Sequence, residues 1–277
     1  MERKLGIIAG SGDLPRKVIA HCRDQHKPYF VLAIEGQTDS LTIENSEHCW
    51  IKLGSIGAAI QTLKNAGVRD ILMAGPVKRP GWSDIRPDAK GALWLAKLAK
   101  NAFGDDSLFR ILIELIEKEG FSVIGIETLM GQAILAPQGL MGTVDLDEAA
   151  WKDIQHAQKI LKLTGEADIG QSLIIQDGVI LGIEAAEGTN ELIRRCQHLH
   201  RPGPGGILLK MTKPWQERRV DLPTIGIETI QLASDHGLRG IAVESGSVQI
   251  LQKEECTTYA DKKGLFLIGI PHDRAYP

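Results

Sequence analysis

Leu5-Gly6-Ile7-Ile8-Ala9-Gly10-Ser11-Gly12-Asp13-Leu14-Pro15 decides the fold. Five residues with no charge read as a strand buried on both faces, and the two glycines and Pro15 that follow read as a tight turn opening a helix over 14–26. A strand that runs through a glycine turn into a helix is the first half of a βαβ unit. The pattern then repeats: strands at 29–34, 49–53, 71–74 and 121–126, with helices at 57–66, 88–102 and 107–119. Such alternation predicts a parallel sheet covered on both faces, a Rossmann-like N-terminal domain.

Residues 127–147 carry glycine and proline with little periodicity, which places a junction there. The expected division is an N-terminal domain over 1–130, a linker over 131–147 and a C-terminal α/β domain over 148–277. The second domain begins with a helix over 148–163. Asp177-Gly178 between the apolar runs 172–176 and 179–184 is a strong hairpin signal. Helices over 187–199, 225–236 and 253–262 alternate with strands at 206–211, 240–243 and 265–270, so the second sheet is expected to be mixed.

At 277 residues with 43% hydrophobic content the chain can bury a large core, and a net charge of −3 gives no global attraction to nucleic acid. Any anion site must come from a local cluster. Cys22, Cys49, Cys196 and Cys256 are far apart, with no spacing that cages zinc, and are expected to be reduced thiols. The apolar run 5–9 is too short for a signal peptide, and no stretch approaches the roughly 18–20 apolar residues of a spanning helix. A cytoplasmic protein follows, with transient contact at the inner membrane surface left open to it.

The strongest local cluster is Leu209-Lys210-Met211-Thr212-Lys213-Pro214-Trp215-Gln216-Glu217-Arg218-Arg219-Val220-Asp221-Leu222-Pro223-Thr224-Ile225-Gly226. Four cations crowd one aspartate set between apolar neighbours. Asp221 there suits a divalent cation or an oriented water, with Lys210, Lys213, Arg218 and Arg219 neutralising phosphate oxygens. A basic loop with an aspartate near a helix start is the plainer reading of the same residues.

Two readings also stand at each glycine loop. Gly10-Ser11-Gly12-Asp13 and Gly75-Pro76-Val77-Lys78-Arg79-Pro80-Gly81 emerge at the carboxyl edge of the predicted sheet, where anions bind, but each is also an ordinary turn. The first does not complete G-x-G-x-x-G, because Pro15 replaces the third glycine. Glu184-Ala185-Ala186-Glu187-Gly188-Thr189-Asn190-Glu191 supplies hard oxygen ligands or a helix cap. Gly104-Asp105-Asp106-Ser107 reads as a metal-binding acidic pair or a cap. On the helix from Asp88, Lys90, Trp94, Lys97 and Asn101 share an outer face opposite an Ala/Leu-rich one, which predicts either an indole resting on lipid headgroups or an exposed indole shielded by lysine stems.

Taken in order, the Gly10, Gly75, Gly104, Glu187-Gly188-Thr189 and Lys213 to Gly226 motifs resemble the LpxI family of UDP-2,3-diacylglucosamine pyrophosphatases, from about residue 4 to 270. The resemblance implies a magnesium-dependent hydrolase of lipid A biosynthesis in Gram-negative bacteria, yielding UMP and 2,3-diacylglucosamine 1-phosphate, with substrate enclosed between two domains. It implies Asp221 as the essential aspartate, Lys213, Arg218 and Arg219 beside it, and Asp221 with Asn190 at the metal. The family's motif carries aspartate at the position of Asn190. Substrate contacts are expected from Gly10, Ser11, Gly12, Asp13, Gly75, Lys78, Glu187, Gly188, Thr189 and Thr224. The partner implied is the UDP-linked diacylated glucosamine, and a homodimer is compatible with a cytosolic α/β enzyme. Two other classes remain: a nucleotide-binding regulatory protein without turnover, and a nicotinamide-dependent oxidoreductase.

Overall fold

The computed structural model describes residues 2–78, 85–101 and 105–272. Arg79, Pro80, Gly81, Ala102, Phe103 and Gly104, singled out in the sequence, lie outside the described residues, as do the side chains of Asn101, Asp105, Asp106 and Ser107. The chain forms two units, 1–131 with 217–221, and 132–216 with 222–277. The segment Glu217–Asp221 therefore packs with the first unit although it follows most of the second in sequence.

The first unit runs β1 (Lys4–Ala9), α1 (Asp13–Asp24), β2 (Tyr29–Ile34), β3 (His48–Ile51), α2 (Ile56–Asn65), β4 (Val68–Ala74), α3 (Ala89–Asn101), α4 (Asp105–Lys118), β5 (Ser122–Val123) and α5 (Ile126–Met130). Among the described residues its sheet has the order β3-β2-β1-β4-β5, and all four pairings are parallel. The order reverses between β1 and β4, which brings the loops after those two strands side by side. Helix α1 forms because Pro15, Val18, Ile19 and Cys22 fall on one stripe and are buried, while Pro15 sits in the first turn, where no amide is needed. Burial pushes the Cys22 thiol up to about 11, so it is an inert core residue.

Helix α3 corrects the expected outer face. Trp94 is only 7% exposed and joins the core of β2, β4 and α4, whereas Leu93 is 66% exposed. Gly91 explains the phase: a Cβ there would meet the Gly54 carbonyl oxygen at 1.9 Å, so this side of the helix lies against the neighbouring backbone and the indole packs inward with it. Lys90 is held by Glu119 at 2.5 Å instead of shielding the ring.

The second unit runs β6 (Gly139–Leu140), α6 (Glu148–Glu166), β7 (Ser172–Gln176), β8 (Val179–Ile183), α7 (Thr189–Cys196), β9 (Gly206–Lys210), β10 (Thr224–Ile225), α8 (Ile227–Asp235), β11 (Leu238–Glu244), β12 (Gln249–Ile250), α9 (Lys253–Lys263) and β13 (Phe266–Ile270). Its main sheet has the order β6-β13-β11-β9-β7-β8, parallel through β13, β11 and β9 and antiparallel on either side. This is the mixed sheet with a hairpin. The period of two sorts its residues: Leu173, Ile175, Ile207 and Leu209 pack beneath α6, while Ile174, Leu208, Ile241 and Val243 pack with α7, α8 and α9. Asp147 caps α6 by accepting from the Ala150 amide at 2.7 Å.

Within 131–147, Gly139–Leu140 pairs with β13 as an edge strand. The helix expected from Ile225 begins two residues later, because Thr224–Ile225 pairs with Gln249–Ile250 first. The Asp177-Gly178 turn has φ of 51° and 75°, the left-handed pair a two-residue hairpin needs, and buried Asp153 on α6 accepts from both turn amides at 2.9 and 2.7 Å.

Candidate active site

Two strands of the second sheet end in a charge after an uninterrupted apolar run: Gly206-Ile207-Leu208-Leu209-Lys210 and Gly240-Ile241-Ala242-Val243-Glu244. Lys210 is 4% and Glu244 3% exposed. Taking an ion out of water costs several kcal/mol, so such groups persist only with partners or a task. Both lie at the carboxyl edge of parallel strands, where open α/β sheets bind ligands.

Around Lys210 the partners come from β7 and α7. Its ammonium donates to the Thr189 hydroxyl at 2.5 Å, and Thr189 donates to Glu184 Oε1 at 3.1 Å. Ser172, opposite Lys210 in the β7–β9 register, has its hydroxyl 3.3 Å from Thr189. One threonine oxygen thus links a buried cation to a buried carboxylate. Glu184 Oε2 is buried with no hydrogen-bond partner.

Thr189 opens α7, and Gly188 is its N-cap at φ 83°. No side chain caps the helix by a hydrogen bond; the Glu187 carboxylate instead accepts from the Ala185 amide at 3.1 Å and from Arg195 at 2.9 Å. Its own backbone amide, foremost, together with Arg195 and the Ala185 amide, holds its carboxyl below the usual range. Asn190 is half-buried on the first turn of α7.

The loop after β9 is pinned from three directions. Glu244 Oε2 accepts from the Thr212 amide at 2.8 Å and hydroxyl at 2.5 Å. Gln216 accepts from the Lys213 amide at 3.0 Å and donates to Gln171 at 3.0 Å. Lys213, whose side chain is 10% exposed, reaches Asp168 at 2.5 Å. Past the loop, Thr224 donates to the Leu222 carbonyl at 3.1 Å and lies 3.5 Å from Gln249.

Glu217–Asp221 makes a helical turn, with the Val220 and Asp221 amides donating to the Glu217 carbonyl at 3.2 and 3.0 Å. Val220 packs into the first unit's core. Arg219 is gripped by Glu217 through Nε and Nη2, each at 2.9 Å, and by Glu117 at 2.9 Å. The Glu217 hydrogen bond is the main cause of its raised pKa. Arg219 is thus a rivet of this turn in the structure. Arg218 is exposed, and Asp221 is half-buried at the last residue before the chain returns to the second unit.

At the switch point of the first sheet, the Gly10 amide donates to the Ala74 carbonyl at 2.8 Å, and the Ser11 amide and hydroxyl both donate to the Pro76 carbonyl at 2.9 Å. The approach is close: a Cβ on Gly10 would lie 2.5 Å from two carbonyl oxygens, and Gly75 sits at φ 83°. Gly12 and Asp13 are exposed at the start of α1, with Asp13 3.9 Å from Arg16. Lys78 is held through its backbone, its amide donating to Gln37 at 2.9 Å. Two loops named from the sequence are therefore neighbours within the first unit. In the second unit, Thr189 and Lys210 meet, and Lys213 lies on the loop that follows.

Sequence reasoning missed Ser172, Glu244 and His272. A charged residue closing an apolar strand was the signal for Glu244. For Ser172 and His272 no local pattern exists, since sheet pairing alone brings them to this edge.

The fold and this edge define a two-unit α/β protein with an enzyme-like array of buried ionic groups. Its sequence matches the LpxI N-terminal domain over residues 4–133 and the LpxI C-terminal domain over residues 137–268. It is 36% identical, over 98% of this chain and 99% of the relative, to "UDP-2,3-diacylglucosamine pyrophosphatase LpxI" of Caulobacter vibrioides. The chain belongs to the LpxI family. Among solved structures, a carboxyaminoimidazole ribonucleotide synthase of Aspergillus clavatus is similar at 15% identity and a TM-score of 0.23, covering 64% of this chain and 38% of that one.

Proposed function

We propose that this chain hydrolyses the pyrophosphate bond of UDP-2,3-diacylglucosamine, giving UMP and 2,3-diacylglucosamine 1-phosphate in lipid A biosynthesis. The observation that carries the reading is the relationship along the whole chain to a protein named for that activity. Physical chemistry supports it. Hydrolysis of a diphosphate needs its oxygens neutralised and a water positioned, and little covalent work. Lys210, Lys213 and Arg218 supply cations on or near one chain segment, and Asp221 supplies the carboxylate.

Magnesium is the proposed cofactor, with Asp221 as its protein ligand. Among the described residues no group of three or more His, Cys, Asp or Glu side chains gathers. A cation held by one carboxylate would draw most of its shell from substrate phosphate and water, the mode magnesium favours. Bound there, the ion would neutralise phosphate charge. The substrate's acyl chains place its encounter with the protein at a membrane surface, reached from the cytoplasm as a peripheral contact. Among the described residues no helix is long and apolar enough to cross a membrane.

The test is incubation of the purified chain with UDP-2,3-diacylglucosamine and magnesium. Equimolar UMP and sugar phosphate are expected, with loss of turnover in EDTA. No UMP refutes the reaction, and turnover unaffected by EDTA refutes the cofactor.

A further inference from the structure

Glu244 ends β11, the strand between β9 and β13, and reaches both neighbours. In the sheet register Val243 lies opposite Lys210 and Glu244 opposite Ile270. Two residues beyond each of these partners stand Thr212 and His272, and both bond to the same carboxylate. Oε2 takes the amide and hydroxyl of Thr212, and Oε1 takes His272 Nδ1 at 2.8 Å. The carboxylate is 4% exposed in its side chain and the imidazole 44%.

Pinning the β9 loop explains only half of this arrangement. Thr212 alone satisfies Oε2, and nothing in that role calls for a half-exposed histidine on the other oxygen. A carboxylate that accepts from Nδ1–H fixes the tautomer and leaves Nε2, on the far side of the ring, as the basic nitrogen. The pair stands on the same sheet edge as Lys210 and Thr189.

We propose that His272 is an acid–base group of the hydrolysis and that Glu244 is its positioning residue, which also holds the β9 loop. The inference rests on the pyrophosphatase reading above. His272 Nε2 accepts a proton from water as the water oxygen bonds to phosphorus. The bond from that phosphorus to the bridging oxygen breaks, its electron pair leaves with the departing phosphate, and the imidazolium then returns its proton to solvent or to that phosphate.

Three variants of the full chain test this by UMP release. His272→Ala is expected to lower kcat at least tenfold with KM within twofold, and added imidazole is expected to restore part of kcat. Glu244→Gln keeps an acceptor for Thr212 but turns an N–H toward Nδ1, so kcat falls while KM holds. Glu244→Ala loses both arms and raises KM as well. Nitrogen-15 NMR of the His272 ring reads the geometry without substrate: protonated Nδ1 in the wild type, with the tautomer reversed in Glu244→Gln. A His272→Ala enzyme with wild-type kcat, or one that imidazole does not rescue, overturns the proposal, as does a wild-type ring protonated at Nε2 alone. A wild-type chain that releases no UMP overturns the function reading and this inference together, whereas an active wild type with an equally active His272→Ala variant overturns only the inference.

Discussion

The Lys210 ammonium lies 2.5 Å from the hydroxyl oxygen of Thr189, which donates in turn to Glu184. The threonine is the joint between a buried cation and a buried carboxylate. Thr189→Val deletes the joint and leaves both ions short of a partner. Stability should fall by about 1.5–3 kcal/mol, the range for a hydrogen bond to a charged group, and UMP release by at least tenfold, while Thr189→Ser retains both. Urea unfolding beside a turnover assay checks the pair, and a valine variant as stable and active as the wild type refutes the coupling.

Asp221 closes the turn that Arg219 rivets, so its backbone is held independently of its side chain. Asp221→Ala should keep the circular dichroism spectrum and melting transition of the wild type yet lose turnover by two orders of magnitude or more. Unchanged kinetics would remove this carboxylate from the chemistry.

Asp153 is 4% exposed and accepts both amides of the hairpin turn. Replacing it with alanine leaves two amides to find other partners. A loss of about 2–4 kcal/mol is expected from two charge-assisted bonds, and denaturant titration measures it. Enzymatic activity per folded molecule should persist, since the turn is at the opposite end of β7 from Ser172.

Gly10 has no room for a methyl group, with carbonyl oxygens of Gly75 and Pro76 2.5 Å from where it would stand. Gly10→Ala should force the two loops apart and lower the melting temperature. Gly36, with nothing within 4 Å of an added Cβ but φ at 74°, is the contrast: its alanine variant pays only for backbone strain. Equal melting temperatures for Gly10→Ala and the wild type would refute the close approach.

Glu119 is held below the ordinary glutamate value of 4.5, first by its hydrogen bond from Lys90 and then by that from Lys64. A depressed folded-state pKa contributes stability that is complete above the unfolded value and is lost as pH falls through the folded one. The wild type should therefore lose stability below about pH 4.5 more steeply than Glu119→Gln. Unfolding free energies measured between neutral and acid pH would separate the two, and parallel curves would exclude the contribution.

Much of the fold was legible because its signals are local. Leu5 to Ala9 followed by a glycine turn, the Asp177-Gly178 dipeptide and the alternation of apolar runs with helical periods each depend on residues within one turn or one strand. Trp94 shows where this stops. Its helix has apolar residues on both sides, so periodicity favoured the Ala/Leu face, and only the contact of Gly91 with the Gly54 backbone set the rotation. Thr224–Ile225 likewise reads as the start of a helix until its pairing with Gln249–Ile250 is known.

The chain alone determined the two α/β units, the mixed second sheet and membership of a family, because strand and helix periods and motif order survive in one dimension. The tertiary structure decided which polar groups work together. Glu184, Ser172, Lys210, Glu244 and His272 come from different strand ends and share an edge only after β8, β7, β9, β11 and β13 align in register. It also showed the carboxylates that hold Arg219, those of Glu217 and Glu117. Charges choose partners by distance in space, and that distance is set by sheet order and packing rather than by spacing along the chain.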